Sequence, residues 1–194
     1  MEIGATKAVQ DRLKTTKIEE SKGASLVFCW DTHLTKIKGR NVLFIVNASN
    51  RYTIAMTDIE PRNWNYYAMY IRSVIHGVMQ EMGYFEEQIG QYFKMPGDTA
   101  VTKTHGRKSV GGINRMVMDA QYFGKKLEKE AKYQWELSEY LNRDICQPEG
   151  FDAYGYPSEL FKLDMERLGI AAKRKPAKVI DIAQYIENNR GTND

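Results

Sequence analysis

The sequence predicts an α+β fold: a small antiparallel sheet of three to five strands packed by two long helices. Three apolar segments follow one another between residues 25 and 57, and the turn-rich connections between them are short enough for hairpins. After residue 60 the apolar residues recur at steps of three and four, which indicates helices. Residues 1–142 are therefore predicted to form an α+β core domain, and residues 143–194 a helical and loop-containing C-terminal extension.

The strands come mostly from the first half of the chain. Residues 1–24 are a polar lead-in, with a short strand and then a helix over about 6–14. Segments 25–37, 41–47 and 52–57 predict a three-stranded antiparallel meander, because each carries β-type apolar residues between turn signals. Segment 99–104 predicts a further strand directly before the longest helical pattern.

Two long helices are predicted. The first covers 63–82, with Pro61 just before it and Gly83 in position to end it. A shorter helix over 86–94 follows. The second long helix covers 109–141 and would reach roughly 50 Å at 1.5 Å per residue. This length exceeds one small sheet, so its second half is expected to pack against something else, for which a second copy of the chain is one alternative.

The extension has a different composition. Residues 147–157 form a loop rich in glycine, proline and tyrosine, and 158–168 predict a short helix. Residues 171–178 form a basic linker, and 179–186 give a last small amphipathic helix before a polar tail.

Composition sets limits on function. The formal net charge of +3 and pI near 8.7 permit an acidic partner without requiring one. Cys29 and Cys146 are the only cysteines, and two distant cysteines make neither a disulfide framework nor a zinc site. No apolar leader or membrane-length run is present in the sequence, so a cytoplasmic protein without a membrane partner is expected.

Segment 102–114 looks most like a site. It reads TKTHGRKSVGGIN, a basic turn with glycines that leads from a strand into a helix. The start of a helix has backbone N–H groups without intrahelical partners and carries partial positive charge, so cations placed there favour an anion such as phosphate. The residues predicted to bind an anion or nucleic acid here are Lys103, His105, Arg107, Lys108, Ser109, Gly111, Gly112 and Asn114.

Further cations could enlarge this basic surface. Between residues 32 and 57 the chain has four basic residues, with Asp58 just beyond them as an acid, which favours one basic face if they cluster. The basic residues in this group are Lys36, Lys38, Arg40 and Arg51. Scattered surface cations are the plainer interpretation of each one taken alone.

The strand NVLFIVN (41–47) and the turn TKTHGRKSVGGIN resemble an uncharacterised bacterial domain family that also occurs in mobile genetic elements. The resemblance covers about residues 1–127, and the second motif is the more specific. It implies an α+β fold and a mobile-element setting, and it implies no activity. This chain departs from the pattern in the turn, where His105-Gly106 replaces asparagines and one residue is added.

No catalytic residue, metal site or cofactor is predicted. His33, His76 and His105 are isolated in the sequence, without ligand spacing to a second histidine or carboxylate, and helix capping explains Ser109. The first hypothesis is a non-catalytic intracellular protein that binds a nucleic acid or nucleoprotein through a basic face, for instance an anti-CRISPR-like inhibitor. The alternatives are a small enzyme acting on a phosphorylated substrate at the 103–114 turn, or a protein–protein module that forms a homodimer through the 109–141 helix.

Overall fold

The computed structural model describes residues 1–15 and 18–171, and over these ranges the fold is α+β with one five-stranded sheet. The strands are β1 (Glu2–Ala5), β2 (Cys29–Ile37), β3 (Arg40–Asn47), β4 (Thr53–Thr57) and β5 (Ala100–Thr102). The helices are α1 (Lys7–Leu13), α2 (Pro61–Asn65), α3 (Tyr67–Glu81), α4 (Glu86–Lys94), α5 (Arg107–Gln121), α6 (Trp135–Asn142) and α7 (Pro157–Arg167). A 3-10 turn (Leu26–Phe28) precedes β2.

The sheet is mixed, so the prediction of an antiparallel sheet is wrong in this respect. Its order is β4-β3-β2-β1-β5. The meander β2-β3-β4 is antiparallel as predicted, but β1 lies between β2 and β5 and is parallel to both. Helix α1 lies in the connection between β1 and β2, and α2 to α4 lie in the connection that brings the chain from β4 across the sheet to β5. A four-residue strand in a polar lead-in carries too little pattern to show which neighbours it pairs with.

Each face of the sheet is covered by its own set of helices. Leu43, Ile45 and Ile54 point to one face, where they pack with apolar residues of α3, α4 and α7. Their neighbours along the strands point to the other face, where Phe44 and Val46 pack with α5 and α6. This alternation follows from the two-residue period of a strand. Helix α5, which begins the candidate site, therefore lies on the second face.

Neither of the two long helices is found as one continuous helix. The first is divided at Tyr66 into α2 and α3, and the second ends at Gln121 and resumes only at Trp135. The intervening segment pairs with the outer edge of β4: the Thr57 N–H donates to the Lys132 carbonyl at 2.8 Å, and the Gln134 N–H donates to the Ala55 carbonyl at 2.9 Å. An unpaired sheet edge has unsatisfied backbone groups, so pairing with β4 stabilises the interruption of the predicted helix. The spacing of apolar residues alone does not reveal this interruption.

Side chains of α6 complete the same edge. The Asn142 side chain accepts from the Thr53 N–H and donates to the Thr53 carbonyl, both at 2.8 Å, and the Ser138 hydroxyl accepts from the Ala55 N–H at 3.0 Å. The predicted dimerisation through a single 109–141 helix therefore lacks the continuous helix that it requires. None of the described helices is long and apolar enough to cross a membrane.

The described part of the extension packs against the core. Phe161 and Met165 of α7 and Ile170 beyond it belong to the apolar cluster on the first face of the sheet. Asp164 of the same helix accepts a hydrogen bond from the Asn50 side chain at 2.9 Å. Of the predicted basic linker (171–178), only its first residue falls in the described ranges, and the predicted terminal helix lies outside them.

Candidate functional site at the start of helix α5

The register between β1 and β2 brings four positions together on one face of the sheet. Glu2 is paired with Cys29, and Gly4 with Asp31. Paired residues in neighbouring strands point to the same face, and so do residues two apart in one strand. Glu2, Cys29 and Asp31 therefore point toward the side covered by the start of α5, where the chain arrives from β5 through His105.

His105 is buried between two carboxylates. Its Nδ1 lies 2.7 Å from Asp31 Oδ1, its Nε2 lies 2.9 Å from Glu2 Oε2, and only 2% of the side chain is exposed. The Ser109 hydroxyl donates to Asp31 Oδ2. Each ring nitrogen faces a carboxylate oxygen that can only accept, so the doubly protonated imidazolium satisfies both contacts.

This environment changes the pKa of His105 and the pKa of Glu2. Burial alone would lower the pKa of His105, but the hydrogen bond to Asp31, the nearby Cys29 and the charge of Asp31 raise it to about 10. Burial alone would raise the pKa of Glu2, but hydrogen bonds from Ser21, the Lys22 backbone and His105 lower it. Both directions favour the charged forms, so the cluster is an internal ion triad of His105, Glu2 and Asp31.

Two glycines are needed for the geometry of the triad: Gly4 leaves room for the side chains, and Gly106 allows the backbone to turn after His105. A Cβ on Gly4 would lie 1.8 Å from Asp31 Oδ1 and 3.1 Å from His105 Nδ1, so any larger residue at position 4 would displace Asp31 and His105. Gly106 directly precedes α5 with a φ of 93°, a conformation that L side chains rarely adopt. Position 106 therefore lets the chain turn from the buried His105 into the helix.

The carboxylate of Asp31 lies where the sequence led us to expect a bound anion. It accepts the His105 backbone N–H at 3.2 Å as well as the Ser109 hydroxyl in the first turn of α5. Ser109 is thus not the residue that precedes the helix, as capping would require; Gly106 is. The positive end of the helix already has an internal negative partner, so anion binding by the segment stays a prediction for its open side only.

The open side of the same helix borders a cleft of about 370 Å³ with three cations. Lys108 and Arg115 come from α5, and Arg51 comes from the turn between β3 and β4. Val46, Ala48 and the buried Ser109 line its base, and the opposite wall is the 147–149 segment, with Glu149 as the one carboxylate. We call this the cationic cleft.

Hydrogen bonds to backbone carbonyls place two of these cations. Lys108 Nζ donates to the Pro148 carbonyl at 3.3 Å, and Arg51 Nη2 donates to the Gly112 carbonyl at 3.3 Å. Within the described ranges, neither has a carboxylate partner at salt-bridge distance, whereas Arg115 pairs with the Asp119 carboxylate at 3.2 Å. An exposed pair of this kind contributes little, so Arg115 can exchange its partner readily.

The two glycines of the motif have different neighbours. A Cβ on Gly112 would lie 3.3 Å from Arg51 Cδ, so the absence of a side chain lets Arg51 lie against the helix. A Cβ on Gly111 would meet nothing within 4 Å, so this position is open toward the cleft. Of the predicted site residues, the cationic cleft brings together Arg51, Lys108, Ser109, Gly111 and Gly112.

The remaining predicted residues lie elsewhere. Lys103 forms an exposed salt bridge with Glu20, and His105 is buried in the triad. Arg107 and Asn114 are exposed on α5 but do not line the cleft.

The hairpin cations Lys36, Lys38 and Arg40 lie at the other end of β3. Seven residue steps at about 3.4 Å separate Arg40 from the far end of that strand, roughly 24 Å. Lys38 donates to the Lys125 carbonyl at 2.8 Å, and Arg40 donates to the Glu128 carbonyl at 2.6 Å and pairs with Asp58. These contacts attach the hairpin to the chain beyond α5, so the two basic groups are separate.

Sequence reasoning missed Glu2, Cys29 and Asp31 as partners of His105, and Arg115 as part of the cleft. Charged residues in short apolar strands are seldom fully buried unless paired, so Glu2 and Asp31 carried a signal once both segments were taken as strands. The register of β1 against β2 was the missing information. Arg115 is seven residues after Lys108 and on the same helix face, a spacing that could have been used.

Comparison with family models places the chain in an uncharacterised family. The model for the domain of unknown function DUF6933 matches residues 2–160, so the chain belongs to this family. The match contains the triad, the cationic cleft and the start of α7. Comparison with curated proteins and with solved structures gave no match.

Proposed function

We propose that this protein is a non-catalytic binding protein that holds the phosphate backbone of a nucleic acid, free or within a nucleoprotein, in the cationic cleft. The observation that supports it best is the convergence of Arg51, Lys108 and Arg115 on one cleft with a single carboxylate. Cations that neutralise phosphates and release counterions supply most of the affinity of such binding.

The shape of the cleft supports a backbone ligand. Gly111 has no side chain on the open surface of α5, so a sugar-phosphate strand can approach the helix backbone closely. Arg51 is held against α5 by its hydrogen bond to Gly112, so less side-chain freedom is lost when it binds. Phosphate contacts of this kind position a strand without reading its sequence.

The two alternative functions have less support in the geometry. An enzyme using His105, Lys103 and Arg107 together needs them in one pocket, but His105 is buried and Lys103 is paired with Glu20. A homodimer through a 109–141 helix needs that helix to be continuous, and it ends at Gln121. The more specific hypothesis of an anti-CRISPR-like inhibitor rests on the family resemblance alone and stays a prediction.

The salt dependence of binding to a fluorescently labelled DNA duplex tests the proposal. Three phosphate contacts predict that log K falls with log[salt] by a slope of roughly −2 to −3. Lys108→Ala and Arg115→Ala should each reduce the magnitude of that slope by about 1.

Two lysines provide matched controls. Lys94→Ala removes the same charge from an exposed position at the end of α4, on the other face of the sheet. Lys103→Ala removes it from the residue before α5 that is paired with Glu20. Both should leave the slope unchanged. A flat salt dependence in the wild type, or an equal loss in Lys94→Ala and Lys108→Ala, would contradict the cleft as the binding site.

A further inference from the structure

Three different metal-ligating side chains meet in the buried cluster behind the cleft. Glu2 offers a carboxylate oxygen, Cys29 its Sγ and His105 a ring nitrogen, and these three atoms all lie within 4.8 Å of one another. All three residues are buried: Cys29 is 0% exposed, Glu2 5% and His105 8%. They come from β1, β2 and the turn after β5, so it is the tertiary fold that brings them together.

Contacts around the ligands resemble the surroundings that metal sites require. A ligating histidine usually donates its second ring N–H to a carboxylate, which fixes its orientation. Here Asp31 holds Nδ1 at 2.7 Å and leaves Nε2 facing Glu2. The Glu2 carboxylate is itself oriented by the Ser21 hydroxyl at 2.6 Å and the Lys22 N–H at 2.8 Å.

We infer that Glu2, Cys29 and the Nε2 of His105 form a binding site for one divalent transition-metal ion of the Zn²⁺ class. Thiolate and imidazole ligands select this class over Mg²⁺ or Ca²⁺, which prefer oxygen ligands. With bonds of about 2.0 to 2.3 Å, the ligand atoms of such an ion lie about 3.3 to 3.8 Å apart. Nε2 and Oε2 are 2.9 Å apart, so a separation of a few tenths of an ångström more accommodates the ion.

The charge of the cluster is the same with and without the ion. Without metal, the carboxylates of Glu2 and Asp31 and the imidazolium of His105 sum to one negative charge, and the Cys29 thiol donates to the Ser25 carbonyl at 3.4 Å. The ion adds two positive charges and displaces two protons, one from Nε2 and one from the thiol. The sum stays at one negative charge, so metal binding adds no net charge to a buried place, where an unpaired charge is costly.

Cobalt binding to the full-length protein tests the site, because Co²⁺ replaces Zn²⁺ and reports thiolate ligation by a charge-transfer absorption band. After treatment with a chelator, the wild type should bind one Co²⁺ per chain with this band, and Zn²⁺ should abolish it. Cys29→Ser should lose the band. Cys146→Ser is the matched control, since Cys146 is also buried but lies in another cluster, and it should keep the band.

A second measurement needs no variant and so does not depend on the folding of Cys29→Ser. X-ray absorption at the zinc edge of the wild type should show one sulfur at about 2.3 Å and nitrogen or oxygen atoms at about 2.0 Å. The inference is overturned by a zinc shell without sulfur, by a wild type without the cobalt band, or by a band that Cys146→Ser loses and Cys29→Ser keeps. Binding of DNA by the cleft is measured separately, so either proposal can fail alone.

Discussion

The first two turns of α5 have a buried side and an open side, and the charged groups on the two sides have different partners. On the buried side, Asp31 accepts from His105 and Ser109, and Glu2 accepts from His105. On the open side, Lys108 and Arg51 donate to backbone carbonyls and have no carboxylate partner at salt-bridge distance within the described ranges. Both sides belong to one short segment of sequence.

The difference separates structural charge from charge that is available to a ligand. A buried charge must be paired, because its desolvation is expensive, so the triad holds β1, β2 and the turn before α5 together. An exposed cation needs no partner and contributes little to stability. We therefore expect changes on the buried side to affect folding, and changes on the open side to affect binding.

The largest effect is expected for Asp31→Ala, which removes one carboxylate from the buried side. The imidazolium of His105 then keeps only its contact with Glu2, and the Ser109 hydroxyl loses its acceptor on Asp31. Breaking a buried ion pair in this way costs about 3–5 kcal/mol in the free energy of unfolding. Urea denaturation followed by circular dichroism measures it.

Asp11→Ala is the control for this change, because Asp11 pairs with Lys7 in an exposed contact four residues apart. The expected loss is about 0.3–0.5 kcal/mol. Equal losses in the two variants would mean that the triad contributes no more than a surface pair, which would remove the difference between the two sides.

A smaller effect is expected for Gly4→Ala. The added Cβ would lie 1.8 Å from Asp31 Oδ1, so the carboxylate or the strand must shift, at a cost of about 1–3 kcal/mol in the free energy of unfolding. Gly77→Ala in α3 is the matched control, since its Cβ meets nothing within 4 Å; this change should stabilise by about 0.5–1 kcal/mol. Thermal denaturation should therefore show a lower melting temperature for Gly4→Ala and a higher one for Gly77→Ala. A Gly4→Ala variant with unchanged stability would argue against tight packing around Asp31.

The pH dependence of the free energy of unfolding shows whether the buried His105 is held as an imidazolium. The pKa of His105 is raised from 6.5 to about 10, so its contribution is fully present below pH 6.5 and is lost as the pH rises from 6.5 through about 10. His105→Gln removes this group, so the difference in unfolding free energy between wild type and variant should narrow over that range. Denaturation of the chelator-treated protein at several pH values measures the difference, because an ion bound at Nε2 would displace the proton that titrates. A gap that stays constant between pH 6.5 and 10 would show that His105 is not held as an imidazolium.

Parts of the fold and of the site were readable from the sequence because they depend on local pattern. Apolar alternation and turn residues predicted the β2-β3-β4 meander, and glycines with basic residues drew attention to segment 102–114. The position of β1 between two parallel neighbours depends on crossovers that no local pattern encodes. The pairing of His105 with Asp31 and Glu2 depends on that register, so it could not be foreseen.

The break in the predicted 109–141 helix has a related cause. Its apolar residues keep a helical spacing across the break, but residues 132 and 134 satisfy backbone groups of Thr57 and Ala55 at the edge of β4. This requirement comes from a strand that lies some 80 residues earlier in the chain, so tertiary pairing overrides the local pattern.

Backbone amide chemical shifts of ¹⁵N-labelled protein titrated with a short DNA duplex show which residues the nucleic acid contacts. If the cationic cleft binds the phosphate backbone, the largest shifts lie at Arg51 and over residues 108–115, with smaller changes at Lys103 and at the hairpin cations. Shifts centred on Lys36, Lys38 and Arg40, or no shift in α5 at saturating duplex, would contradict binding by the cleft.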